Sequence, residues 1–275
     1  MFSRKPKLQV KTSAQFGYMR QAGLVVAAAL EATAAAVEPG RTTADLDAIA
    51  AKIIADAGAE PSFLGYHGYP AHICVSVNEE IVHGIPGPRV LQDGDLVSID
   101  CGAIINGWHG DAAVTVACGN TSEEALTLSE VTRQSMWRGL AKAIAGNKLT
   151  DIGAAIEDFV LSQGDYGVVE DYVGHGIGTA MHMDPSVPNY GPAGSGPKLV
   201  AGLALAIEPM MTLGSQDSEV LADDWTVRTL DRKWAAHWEH TVAITAEGPW
   251  VLTAVDGGAA EFAALGVSSP AAALS

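Results

Sequence analysis

Cysteine is scarce in this 275-residue chain, which carries only Cys74, Cys101 and Cys118. An odd count with no Cys-x-x-Cys pair argues against a disulfide framework or a thiolate zinc knuckle, and leaves reduced thiols. Long apolar runs are missing too. None approaches the roughly 20 residues that cross a bilayer, and the best candidate, "LVVAAALEATAAAV", is cut by Glu31. Positive charge is short, with 16 Lys+Arg against 32 Asp+Glu and a formal net charge of -16. Such a chain repels phosphate backbones, which makes nucleic acid a poor partner, and it attracts cationic substrates or metal ions. The start, "MFSRKPKLQVKT", is basic but has neither the apolar segment nor the cleavage site of a secretory signal. Residues 1–11 are therefore expected to form an extended basic arm on a cytoplasmic protein.

What is present is material for a large core: 48% hydrophobic and 17% charged residues. Ala-rich periodicity predicts a helix from about 14 to 37. Thr43 is the expected N-cap of a second helix, "ADLDAIAAKIIADAG", that ends at Gly58. Residues 61–94 are dense in Gly and Pro and read mostly as loop, with one short strand at 73–77. The segment "SIDCGAIINGWHGDAAVTV" at 98–116 reads as two apolar strands around Asn106-Gly107. "TSEE" at 121–124 has the spacing of a capping box, with a helix after it to about 145 and another from Thr150 to Gly164. A Gly/Pro-rich loop, strands at 203–208 and 237–246, and a small-residue tail at 253–275, expected to be poorly ordered, complete the chain.

The order of signals restarts halfway. "TTADLDAIAAKIIADAG" matches "KLTDIGAAIEDFVLSQG", "HGI" at 83–85 recurs at 175–177, "DLVSIDCG" resembles "LALAIEPM", and "HGDAAVTVA" resembles "HWEHTVAIT". Four matches in one order imply a duplicated half, about 12–118 and 119–252, and a pseudo-twofold domain with its site on the axis. The alignment sets Asp100 against Glu208, Asp111 against Glu239 and His83 against His175.

A two-residue turn at Asn106-Gly107 would pair Ile105 with Trp108 and put Asp100 opposite Ala113 and Gly102 opposite Asp111. Alternation then places Asp100 and Asp111 on one face as diagonal neighbours, unless a bulge intervenes. The proposed symmetry adds Glu208 and Glu239. Four carboxylates so close in apolar strands must bind protons or cations, since each raises the others' pKa and burial penalises charge. His83, His109, His175, His182, His237 and His240, six of the eight histidines, fall in the same loops and strands. Carboxylates with imidazole suit Mn, Fe, Co or Zn, and two bridged ions that activate a water are the equipment of a hydrolase.

"CVSVNEEIVHGIPG", the D-x10-D hairpin, "GHGIGTAMHMDP", "AIEPM" and "DWTVRTLDRKWAAHWEHTV" together resemble the bacterial type I methionine aminopeptidases of the pita-bread fold. The resemblance covers about residues 12–252 and implies an α+β architecture of pseudo-twofold halves, an antiparallel sheet covered by helices. It implies two divalent metal ions (Co, Mn, Fe or Zn) on Asp100, Asp111, His175, Glu208 and Glu239, with Asp111 and Glu239 bridging. In the family a bridging hydroxide attacks the first peptide carbonyl. Glu208 would be general base and proton carrier, with His83 and His182 hydrogen-bonding the scissile amide and the oxyanion. The substrate pocket would be walled by Phe63, Tyr66, Tyr69, Cys74 and Met181, with Trp225 at its rim, and sulfur–aromatic contacts favour methionine modestly. Met181 stands where these enzymes commonly have Phe, and Val82 where many have Cys. The implied activity is removal of initiator methionine from nascent chains with a small second residue, by a cytoplasmic monomer with at most a transient ribosome contact. The runner-up is a proline-specific aminopeptidase, which usually adds a large N-terminal domain. A non-catalytic binding relative would lack the metal ligands, all five of which are present here.

Overall fold

The computed structural model describes residues 8–273; residues 1–7 of the expected arm lie outside the described part. Five α-helices are described: α1 Ser13–Ala35, α2 Thr43–Asp56, α3 Glu123–Leu140, α4 Thr150–Gln163 and α5 Ala259–Ala264. None is long and apolar enough to cross a membrane. Helix α1 starts at a capping box, in which Thr12 Oγ1 accepts from the Gln15 N–H and the Gln15 side chain accepts from the Thr12 N–H. Phe16, Met19, Val26 and Leu30 recur at helical spacing on its buried side.

Two expected caps shift by one residue. Helix α2 is capped by Thr42, whose hydroxyl accepts from the Asp45 N–H while Asp45 accepts from the Thr42 N–H. Thr43 instead donates its hydroxyl to the Gly87 carbonyl. Helix α3 is capped by Ser122, because the Thr121 hydroxyl is engaged by the Asp95 carbonyl.

The main sheet is antiparallel. Its central six strands run, in spatial order, Ile73–Val77, Leu96–Ile105, Trp108–Ala117, Glu239–Ile244, Ala204–Ile207 and Gly174–Gly176. That order reads the same from either end once the duplicated segments are matched. Leu96–Ile105 mirrors Ala204–Ile207, and Trp108–Ala117 mirrors Glu239–Ile244, side by side on the axis. The His83–His175 correspondence is not kept: the strand opposite Gly174–Gly176 is Ile73–Val77, and His83 lies just past the strand Glu80–Val82.

Helices α1 and α2 cover the first half with Val26, Leu30, Leu46 and Ile54 against Ile73, Val75, Val97 and Ile99. Helices α3 and α4 cover the second with Leu128, Met136, Ile152 and Ile156 against Leu205, Ile207, Val242 and Ile244. Helix α1 sits directly on the hairpin because two glycines meet: a Cβ on Gly110 would lie 2.7 Å from the Gly23 nitrogen.

One expectation about the ends is corrected, and one gains detail. From 253 to 273 the chain is folded, not a loose tail; residues 274–275 lie outside the described part. Phe262 of α5 is fully buried and stands edge-on to Trp137 at 5.7 Å, which offsets the weak burial of its small neighbours. Arg20 also reaches across to the carbonyls of Leu252 and Val255. In the basic arm, Gln9 hydrogen-bonds Thr179, the Lys11 N–H donates to the Gly202 carbonyl at 2.7 Å, and Lys11 is buried. Residues 9–11 are therefore docked by backbone and side-chain hydrogen bonds.

Candidate active site

Asn106 (φ 51°) and Gly107 (φ 77°) make the left-handed two-residue turn that suits a right-twisted hairpin. Pairing runs unbroken from Ile105↔Trp108 to Leu96↔Ala117, so Asp100 faces Ala113 and Gly102 faces Asp111. Glu239 faces Ala113 from the other side. Directly paired residues share a face, as do residues two apart, so Asp100, Asp111 and Glu239 point the same way. Farther along, Thr241 faces Ala206 and Ala206 faces His175, which carries that face to His175 and, two residues beyond Ala206, toward Glu208. Ala113 and Ala206, the small residues of these rows, leave room above the sheet.

Every residue singled out for the site borders one open cavity of about 570 Å3: Asp100, Asp111, His175, Glu208 and Glu239 at its floor, His83 and His182 beside them, and Phe63, Tyr66, Tyr69, Cys74, Met181 and Trp225 around its wall. Ligand atoms of Asp111, His175 and Glu239 lie within 4.8 Å of one another, and all three residues are buried. His175 Nε2 is 3.4 Å from Glu208 Oε1. The His175 Nδ1–H donates to the Gly176 carbonyl at 3.0 Å, which leaves the Nε2 lone pair free to ligate.

Electrostatics within the floor are unfavourable. Burial raises the Asp100 carboxyl to about 7, against hydrogen bonds from Asp111 and the Cys101 backbone that oppose the rise. Asp111 is pushed well up by burial and then by the charges of Glu239 and Asp100. Glu208 rises through burial, Asp100 and Asp111, and Glu239 through burial, Glu208 and Asp100. Burial lowers His175 to about 3, with His182 adding to it, so its ring is neutral and available as a ligand. Asp100 Oδ1, Asp111 Oδ1 and Glu239 Oε1 are buried without a hydrogen-bond partner among the described residues. Orphaned, mutually repelling carboxylate oxygens beside a neutral imidazole fit a divalent cation by donor type.

The wall is aromatic. Phe63 and Tyr69 meet edge-on at 6.4 Å, Tyr69 and Trp225 at 5.0 Å, and His83 and Trp225 at 6.3 Å. The Tyr69 hydroxyl donates to the carbonyls of Ile73 and Gly84, 3.0 and 3.1 Å away. His83 has a left-handed backbone (φ 61°) and is lowered to about 4, by burial first and then by His182. Met181 packs with Phe63, Tyr69 and Cys74, whereas Val82 belongs to a separate apolar cluster with Val169, Met210 and Val227.

The remaining histidines divide. His237 is buried with Nε2 3.8 Å from Glu208 Oε2, and His109 Nδ1 is 3.0 Å from Ser62 Oγ. His240 lies on the opposite side, 5.3 Å from Trp137 and hydrogen-bonded to Thr253.

Sequence reasoning passed over the supports. Asp47 of α2 accepts from the N–H groups of His72 and Ile73 and lies 3.0 Å from His72 Nδ1, pinning the end of the aromatic loop. Thr241 brackets the Asp111 backbone, its hydroxyl donating to the carbonyl at 2.8 Å. Asn189 donates to the Glu208 carbonyl. Thr241 could have been found, two residues after Glu239 on the same face; Asp47 and Asn189 carry no local signal.

Comparison with known proteins agrees with this geometry. Residues 17–246 match the family model of metallopeptidase family M24. The methionine aminopeptidase of Clostridium acetobutylicum is 54% identical over 245 residues, 89% of this chain and 98% of its own. Methionine aminopeptidase 1 of Mycobacterium tuberculosis is 54% identical over 249 residues, 88% of this chain and 94% of its own. Among solved structures, methionine aminopeptidase from Thermotoga maritima superposes with a TM-score of 0.88 at 41% identity, covering 90% of this chain and 99% of that one. Prolidase from Pyrococcus furiosus, at 21% identity and a TM-score of 0.72, shares the pita-bread fold alone. With the family model spanning most of the chain and such relatives matched over nearly their full length, the chain belongs to metallopeptidase family M24 and, within it, to the methionine aminopeptidases.

Proposed function

We propose that this chain removes the N-terminal methionine from nascent proteins and peptides, preferring a small second residue, as a cytoplasmic monomer whose ribosome contact is at most transient. The observation that carries the reading is the junction of two environments in one cavity, an aromatic and sulfur-lined wall over a floor of orphaned carboxylates. Asp100, Asp111, His175, Glu208 and Glu239 would hold two divalent ions, drawn from Co, Mn, Fe and Zn. When bound, such ions supply a water made acidic enough to attack at neutral pH and a Lewis acid for the carbonyl.

The chain's own residues do the rest. Phe63, Tyr69, Cys74, Met181 and Trp225 hold a flexible thioether side chain by shape and by sulfur–aromatic contact, each worth about 0.3–1.5 kcal/mol. Glu208, less buried than Asp111 or Glu239, takes the proton of the attacking water and passes it to the leaving amine. His83 and His182 donate to the scissile amide and to the oxygen on which charge develops, and removal of one such donor typically costs about 10²–10³ in turnover. The test is a Met-Ala-Ser, Leu-Ala-Ser and Ala-Pro-Ala panel on chelated protein reloaded with one metal at a time. Met-Ala-Ser should be cleaved best, and Asp111→Ala or Glu239→Ala should abolish turnover. Full activity in a metal-depleted Asp111→Ala protein, or preference for Ala-Pro-Ala, refutes the reading.

A further inference from the structure

We propose that Tyr66 is a positioning residue that sets the tautomer of His182: its hydroxyl donates to Nδ1, so that the ring keeps its proton on Nε2 as the free donor. The inference rests on the reading of His182 as a donor to the substrate. Tyr66 Oη and His182 Nδ1 lie 2.8 Å apart, joining two walls of the cavity across 116 residues of sequence. The rings are 5.4 Å apart and tilted by 39°. His182 stands at the exposed rim, and among the described residues this is the one hydrogen bond to its ring. Its imidazole neighbour is His175, at 4.3 Å with the planes inclined by 56°, a contact without a hydrogen bond.

A phenol can donate or accept, and the direction proposed is the one in which it donates, because that one leaves Nε2–H for the substrate. A neutral imidazole has one donor and one acceptor nitrogen, and whichever nitrogen accepts obliges the other to donate. Burial and the negative charge of Asp111 both raise the Tyr66 phenol, so it remains an O–H donor at neutral pH. With Nδ1 occupied, only Nε2–H remains to meet a carbonyl oxygen. In the other tautomer the Nε2 lone pair would face that oxygen and repel it. Tyr66 thus has a task beyond walling the pocket, and its hydroxyl, not its ring, performs it.

The test uses full-length protein labelled with 15N-histidine, and long-range 1H–15N spectra that distinguish the two neutral tautomers. The His182 signals are identified by their loss in His182→Gln. Wild-type protein should show a protonated Nε2 and an unprotonated, hydrogen-bonded Nδ1. Tyr66→Phe, which keeps the ring, should lose that pattern and lower kcat on Met-Ala-Ser about 10- to 100-fold with KM changed less than about threefold. In a His182→Gln background, Tyr66→Phe should add nothing. A proton on Nδ1 in the wild type, or a Tyr66→Phe protein with an unchanged tautomer, overturns the proposal. So does a Tyr66→Phe effect confined to KM. Should Met-Ala-Ser prove not to be a substrate, the functional reading falls while the spectra still decide the tautomer.

Discussion

The carboxylate floor should make the metal-free protein lose stability as the solution turns alkaline. Carboxyl groups whose folded pKa is raised hold protons that the unfolded chain has already released. Their contribution is fully present below the unfolded value near 4 and drains away as pH climbs through the folded value. For Asp100, going from 3.8 to about 7 at about 1.4 kcal/mol per pH unit amounts to about 4 kcal/mol. Asp111, Glu208 and Glu239 move the same way. The buried histidines act oppositely: His175 and His237 are lowered to about 3 and His240 to about 4, so their effect favours folding as pH rises toward 6.5 and is nearly spent above 7. The informative window is therefore pH 7 to 8.5. One proton retained there by the cluster amounts to about 2 kcal/mol, a fall in melting temperature of about 4–8 °C for a domain this size. Thermal denaturation followed by circular dichroism in chelating buffer measures it. Mn(II) at about a hundred times its Kd should add about 2.7 kcal/mol and remove the slope, because bound ligands are already deprotonated. Asp111→Asn, one charge fewer, should melt higher than wild type without metal at pH 8.5 and gain little from Mn(II). A flat or rising metal-free profile between pH 7 and 8.5, or an Asp111→Asn protein that melts lower there, would refute the account.

Other substitutions probe other links. Glu208→Gln keeps the shape but cannot carry a proton, so kcat on Met-Ala-Ser should fall by about 10² or more with the far-ultraviolet circular dichroism unchanged. Asp47→Ala releases the His72 and Ile73 N–H groups; KM should rise several-fold with kcat nearly constant, as steady-state kinetics would show. Phe262→Ala empties a fully buried site against Trp137 and should cost about 3–5 kcal/mol in urea denaturation, whereas a loosely attached C-terminal segment would show no change.

Local chemistry made much of this molecule legible. Asn106-Gly107 admits a left-handed turn with few alternatives, so the hairpin register and the shared face of Asp100 and Asp111 followed from the side-chain period of two. The repeated order of helix and strand signals pointed to the palindromic sheet and to Glu208 and Glu239 beside the aspartates. Helix positions came from periodicity, but not the caps. Thr42 against Thr43, and Ser122 against Thr121, were decided by partners at Gly87 and Asp95 that are distant in sequence. The C-terminal segment, small-residue-rich and unpromising by composition, is folded because Phe262 finds Trp137 on α3. Asp47 beneath the aromatic loop and Tyr66 against His182 are likewise contacts between remote segments. Sequence alone determined which residues could share a face and why acids there needed a counter-charge, since backbone period and Coulomb repulsion act over a few residues. Only the tertiary structure decided which hydroxyl, carboxylate or ring each of them meets, because those distances arise when chain segments a hundred residues apart pack together.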